Sequence, residues 1–271
     1  MKYPTSQRPE NFTINPQVDL GRGLMFFGGG ACPGSAKLID SSGLGNNATL
    51  TNMAIPATAT SGWQWDNFLR RWVLAFDGSN DYVQAVGNNS TAFTAACWVK
   101  IAATTTTTQI YLEYSASNNL RYGLGSYAGG YPFVPRLNVG SPYKVASSST
   151  FVTGKWYHFA GTSDGSNYAM YINGVSVAIT GSSTSSCDTA SVLRIGQGCS
   201  TASNYSNSSI GDPCIWNRVI SPYEIAQEAD PVWSIMKGGL ILPPRRRSYA
   251  AAVAGTTFNP TWAMNSNQLI A

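Results

Sequence analysis

An all-β fold, with two antiparallel sheets packed as a jelly-roll sandwich, is what this chain of 271 residues predicts. Three observations carry the prediction. Apolar residues alternate with period two in short runs from about Arg71 to Trp216. The runs are separated by clusters of Gly, Ser, Asn and Asp, the residues that tight turns demand. No amphipathic helical pattern alternates with the strands, which argues against βαβ units and for two sheets stacked face to face.

The elements follow in order. The opening "MKYPTSQRPENFTINPQ" is polar and proline-containing, lacks the apolar stretch of a secretory signal, and is expected to form an arm over residues 1–18. "WVLAFDG" and "DYVQAV" flank a turn. "FTAACWVKI" then places Phe93, Ala95, Cys97, Val99 and Ile101 on one face, and "QIYLEY" and "LRYGLGSY" continue the alternation. In "WYHFAGTSDGSNYAMYINGVSVAI" two turns separate three strands, at about 155–162, 167–173 and 175–179. The second turn is centred on Asn173-Gly174, the pair that best tolerates the two positive φ angles of a type I′ turn. "VLRIGQ" and "GDPCIW" are further strands. Ser221, Pro222 and Glu224 then spell a capping box that opens one short helix. The domain is expected to span 19–231. Residues 232–271 form a second arm, in which Gly238-Gly239 and Pro243-Pro244 interrupt any regular element.

Composition narrows the setting. Charged residues make up only 11% of the chain, so Ser, Thr, Asn and Gly must supply most of the polar surface. The net charge is +4, and all of it lies in the C-terminal arm, which holds Lys237, Arg245, Arg246 and Arg247 and no acid. Those arginines, with Trp262 further on, are expected to dock the arm on the protein's own body, a sister subunit or a carrier protein. Exchange of arms between copies would favour a closed oligomer, with a trimer preferred. A run of three arginines is too short to argue for nucleic acid. No segment approaches the roughly 18 apolar residues of a membrane span. The five cysteines match no zinc spacing. Cys187 and Cys199 could close a local disulfide, and free thiols in a reducing compartment are the alternative.

The motif order "GRGLMFF", "LAFDGSNDYVQA", "FTAACWVKI", "KWYHFAGTSDGSNYAMYINGVSVA", "VLRIGQ" and "IGDPCIWNRVISPYEIAQ" resembles the laminin-G-like, concanavalin-A-like jelly-roll domains over roughly residues 20–230. The resemblance implies two curved antiparallel sheets and a binding or structural role, with glycoside hydrolases a minority. Together with the closing "GGLILPPRRR" and "NPTWAMNSNQLI", the chain also looks like proteins of tailed bacteriophages. From this follows the expectation of a structural and adhesive virion protein: a capsid decoration, fibre or tail-associated part. It would be made in the host cytoplasm and contact other virion proteins and host-surface glycans. A bacterial carbohydrate-binding lectin is the alternative, and a glycoside hydrolase is the third reading.

Catalysis is expected to be absent. A glycosidase needs two carboxylates across the scissile bond, and catalytic members of the superfamily set them two apart on one strand. Here Glu113 stands alone, while Glu224 and Glu228 fall on the short helix as solvated groups. The single histidine, His158, reads as a structural strand residue. For calcium, Asp77, Asn80 and Asp81 form an oxygen-rich turn. The resemblance would add a late-strand carboxylate, which here is Asp212 in "IGDP". The other reading of the turn is an Asx motif in which Asp77 binds its own backbone. For a glycan or partner, Trp63, Trp65, Tyr127 and Tyr131 are the aromatic candidates, unless they cover the sheet ends or a subunit contact.

Overall fold

The computed structural model describes residues 13–14, 19–230 and 241–242, apart from 88–89, 91, 104–107, 118–119, 128–130, 135, 138–143, 147–150, 165–166, 181–191 and 200–203. The strands are β1 (Thr13–Ile14), β2 (Leu24–Phe27), β3 (Lys37–Leu38), β4 (Ala48–Thr51), β5 (Gly62–Asp66), β6 (Arg71–Asp77) and β7 (Tyr82–Val86). There follow β8 (Phe93–Ile101), β9 (Gln109–Ser117), β10 (Leu120–Tyr127), β11 (Tyr131–Val134), β12 (Arg136–Leu137), β13 (Lys144–Ala146) and β14 (Trp156–Ser163). The chain continues with β15 (Tyr168–Ile172), β16 (Val175–Val177), β17 (Ile179–Thr180), β18 (Val192–Ile195), β19 (Asn207–Trp216), helix α1 (Pro222–Glu228) and β20 (Ile241–Leu242).

Two antiparallel sheets result. A ten-stranded sheet runs β17-β13-β11-β10-β9-β18-β7-β4-β3, with β12 also on β10. An eight-stranded sheet runs β16-β15-β14-β8-β19-β6-β5, with β2 on β19. The expected sandwich is therefore present, and β9 packs against β8 and β19 of the facing sheet. Alternation on β8 sends Phe93, Ala95, Cys97, Val99 and Ile101 into the core, where Phe76, Leu112, Phe159 and Ile195 meet them. Each large apolar side chain removed from water there contributes roughly 1.5–3 kcal/mol.

The outer faces of the two sheets differ. That of the eight-stranded sheet is covered: Leu20, Phe27, Trp216, Ile220 and Ile225 bury Ala96, Ala160 and Cys214 on one half. Leu69 and Val73 flank Trp98 on the other half. On the ten-stranded sheet Lys37, Thr49, Gln84 and Val86 are exposed.

Local signals set the details. Asn173 and Gly174 have φ of 51° and 78°, and the Asn173 side-chain oxygen accepts from the His158 N–H at 2.9 Å, which ties the turn to β14. Ser221 caps α1 with Glu224 as its reciprocal partner. The two helix carboxylates are not solvated, contrary to the sequence expectation. Glu224 is gripped by both terminal nitrogens of Arg218, and Glu228 lies buried beside Cys214. Both share the helix face that holds Ile225, which is packed in the core on this sheet, so these two carboxylates face protein rather than water. The arms meet each other: Thr13 pairs with Leu242 and Ile14 with Ile241.

Candidate functional site

Strand register builds a lateral row on the open face of the ten-stranded sheet. Lys37 lies opposite Thr49, Thr49 opposite Gln84, Gln84 opposite Arg194, and Arg194 opposite Glu113. Because strand side chains alternate between faces, all five occupy the same face. Val83, Ala85, Leu193 and Ile195, one position off, enter the core.

Arg194 is the centre of the row. Its Nε donates to Gln84 Oε1 at 3.2 Å, and its Nη1 donates to Gln197 Oε1 at 2.8 Å and to the Gly198 carbonyl at 3.3 Å. Its guanidinium carbon stands 5.0 Å from the centre of the Tyr82 ring, within cation–π range. Glu113, its direct cross-strand neighbour, accepts instead from the Cys199 backbone N–H and is buried. The loop that supplies Gln197, Gly198 and Cys199 is fixed at Gly196. That residue has φ of 82°, donates to the Tyr111 carbonyl at 3.0 Å and accepts from Ser206 N at 2.8 Å. A Cβ there would come within 2.3 Å of Phe76, so the turn needs glycine. The result is a planar array of N–H donors held rigid on an accessible surface, with the side-chain amide of exposed Gln84 beside it.

The structure divides the predicted calcium set. Asp77 Oδ1 accepts from Ser79 N at 2.8 Å, the Asx turn. Asp81 accepts from Asp77 N at 3.2 Å with one carboxylate oxygen and is buried, while its other oxygen, Oδ1, has no hydrogen-bond partner among the described residues. Burial pushes the Asp81 carboxyl above its usual range; the Ser61 hydroxyl opposes that shift, and the charge of Asp77 adds to it. The carbonyl of Asn80 accepts from Asn52 at 3.2 Å. Asp212 is elsewhere. A bulge in β19 between Gly211 and Cys214 gives it a φ of 45° and turns it onto Arg71, with which it forms a buried ion pair. Arg71 begins β6 and Asp77 ends it, so six residues at about 3.3 Å each keep Asp212 away from the turn. The four expected ligands thus do not converge. Among the described residues no group of three or more His, Cys, Asp or Glu is placed to hold a metal.

The aromatic candidates separate as well. Trp63 is a core residue, 6% exposed, and leaves the set. Trp65 is 40% exposed, with its indole N–H on Asn67 Oδ1 at 3.1 Å and its ring edge-on to Trp72. Tyr127 and Tyr131 pair across β10 and β11 in the ten-stranded sheet, whereas Trp65 lies on β5 of the eight-stranded sheet. Arg245, Arg246, Arg247 and Trp262 lie outside the described residues. The Cys199 thiol donates to the Glu113 carbonyl at 3.4 Å, and Cys187 lies outside the described residues.

The predicted structural role of His158 has a physical basis. It is fully buried, its ring is 5.4 Å from that of Trp98, and burial lowers its pKa to about 3; Asp212 and Arg71 nearby act in opposite directions. Sequence reading missed Tyr82, Gln84, Arg194 and Gln197. The signal available was Arg194 in "VLRIGQ", a charge at an outward strand position with glutamine and glycine just after it.

No curated protein matches this chain. Solved structures do, and at their level of identity they establish the fold. Trypanosoma rangeli sialidase in complex with sialic acid superposes with a TM-score of 0.56 and 16% identity, over 78% of this chain and 34% of that one. The binding domain of Paraclostridial Mosquitocidal Protein 1 gives 0.54 and 15%, over 78% and 52%. A botulinum neurotoxin type C structure, whose cell entry is described as dependent on two ganglioside molecules, gives 0.55 and 14%, over 78% and 51%. The chain therefore spans about a third of the sialidase and half of the toxin chains.

These matches correct two expectations. The virion and capsid assignment gives way, because the structures named above are a sialidase and toxin chains and the matching family is one of lectins and glucanases. The expected absence of enzymatic activity also falls. The matching family joins lectins with glucanases and the fold is shared with sialidases, so a missing i, i+2 carboxylate pair does not exclude catalysis. Among the described residues no helix is long and apolar enough to cross a membrane. Residues 77–226 match the family described as the Concanavalin A-like lectin/glucanases superfamily, more than half of the sequence, and the chain belongs to that family.

Proposed function

We propose that this chain is a carbohydrate-binding, lectin-like module that holds its sugar on the open face of the ten-stranded sheet. The observation that carries the reading is the fixed donor array of Arg194, stacked on Tyr82 and bordered by exposed Gln84. Sugar hydroxyls are recognised by planar groups held in place before binding, since little rotamer entropy is then lost. The ganglioside and sialic acid named for two structurally similar proteins support the class of ligand. Trp65 with Asn67 is a second sugar-facing pair, on the edge of the other sheet. A calcium at this turn would rest on Asp77 and on Asp81 Oδ1, which has no partner among the described residues. A fall in melting temperature on chelation, abolished by Asp77→Ala, tests that point.

The test of the main reading is a glycan array probed with the full chain, with released sugar assayed in the same samples to separate binding from hydrolysis. Gln84→Ala and Tyr82→Ala should each weaken binding by about tenfold, the loss of roughly 1.4 kcal/mol, with little change in melting temperature. An array with no bound glycan, or variants that bind like the parent, would refute the reading.

A further inference from the structure

Resting on that reading, we infer that the sugar carries an acid group, a carboxylate or a sulfate, which is anchored by Arg194. Neutral groups hold the guanidinium. Its three acceptors among the described residues, Gln84 Oε1, Gln197 Oε1 and the Gly198 carbonyl, are all neutral. Among the described residues none forms an ion pair with Arg194. This holds although Glu113 is its direct neighbour across the β18–β9 pair, because the Glu113 carboxylate is turned under the loop onto the Cys199 N–H. Arg194 is thus a half-buried cation, oriented by neutral dipoles and the face of Tyr82, with no ion-pair partner among the described residues.

Nη2 is the nitrogen of this fork with no acceptor among the described residues. A carboxylate or sulfate can take a charge-assisted hydrogen bond from it, roughly twice as strong as a neutral one. The surroundings suit an acid-bearing chain better than a lone anion. Three strand spacings, about 14 Å in all, separate Arg194 from Lys37 along the row. Lys37 is exposed, and exposed Thr49 and Gln84 lie between the two cations. A saccharide lying across the strands would meet a cation at each end and hydroxyl- and amide-bearing side chains between.

The experiment uses the full chain and matched oligosaccharides that differ only in their acid group: one neutral, one with a carboxylate, one with a sulfate. The chain is expected to bind at least one acidic partner about tenfold more tightly than the neutral one. That preference should shrink as salt rises. Arg194→Gln should bring the affinities within about twofold of each other, and Arg194→Lys, which keeps the charge and loses the fork, should fall between. Which acidic partner wins distinguishes carboxylate from sulfate. Equal binding of all three partners by the parent chain overturns the inference and leaves the carbohydrate reading intact. Binding to none of them, nor to any array glycan, removes both. Concentration-dependent protection of Val192–Cys199 in the chain without sugar would show a second copy on this face and overturn the inference as well. Should Arg194→Gln not fold, the salt dependence of the parent decides: a loss of acidic preference at high salt supports it, and no change overturns it.

Discussion

At the scale of single residues, the buried polar groups on the covered face of the eight-stranded sheet set the response to pH. Neither ring nitrogen of His158 nor the indole N–H of Trp98 finds a partner among the described residues. Burial holds His158 neutral to about pH 3, whereas in the unfolded chain it titrates near 6.5. As pH falls through 6.5 the unfolded state takes the proton first, so stability is lost progressively between about 6.5 and 3 and is unaffected above that window. The loss at pH 5 amounts to about 2 kcal/mol. His158→Phe removes two unpaired buried atoms and should flatten the melting-temperature curve between pH 6.5 and 4.5. An unchanged acid slope would show that another group governs it. Below that range Asp66 adds its own loss. Burial raises its pKa, but the Leu69 N–H, Lys100 and Trp156 outweigh that and hold the carboxyl below its usual range. The Arg71–Asp212 pair is the other sensitive point. Asp212→Ala leaves a buried guanidinium without its carboxylate and should cost about 3–5 kcal/mol, read as a fall in denaturation midpoint.

At the scale of elements, the hairpin and the helix are where sequence and structure agree most closely. Asn173-Gly174 and Ser221-Pro222-Glu224 are local codes, each satisfied by its own neighbours in the chain, so they are legible without knowing the fold. Gly174→Val should cost about 1–2 kcal/mol from the left-handed backbone alone. More follows from packing, since a Cβ there would already lie 3.1 Å from Ala226 Cα on α1. Ser221→Ala should cost about 1 kcal/mol. A melting temperature unmoved by either change would contradict the assigned turn or cap. The Asp212 assignment failed for a nonlocal reason: a bulge in β19 turns the side chain along the strand, and no alternation pattern registers the extra residues. Trp63 was misplaced because "SGWQWDNF" reads as a loop, whereas it is an edge strand whose first tryptophan enters the core.

At the scale of the whole molecule, the sandwich was legible because period-two alternation is repeated on strand after strand. The site was not, because it is assembled by register. Thr49, Gln84, Arg194 and Glu113 come from four strands spread over more than 140 residues, and no two are near in sequence. Each alone looks like an ordinary outward strand position. The row is visible only once the order β4-β7-β18-β9 is known. A reading by charge misses it as well, for Arg194 is marked by the neutral company of Gln84, Gln197 and Gly198 and not by a basic cluster. The central claim is that sugar occupies this face. Hydrogen exchange of the full chain, measured with and without a bound oligosaccharide, tests it most directly. The account predicts new protection confined to Tyr82–Val86 and Val192–Cys199, with the covered face of the eight-stranded sheet unchanged; protection elsewhere with those two segments unaffected would contradict it.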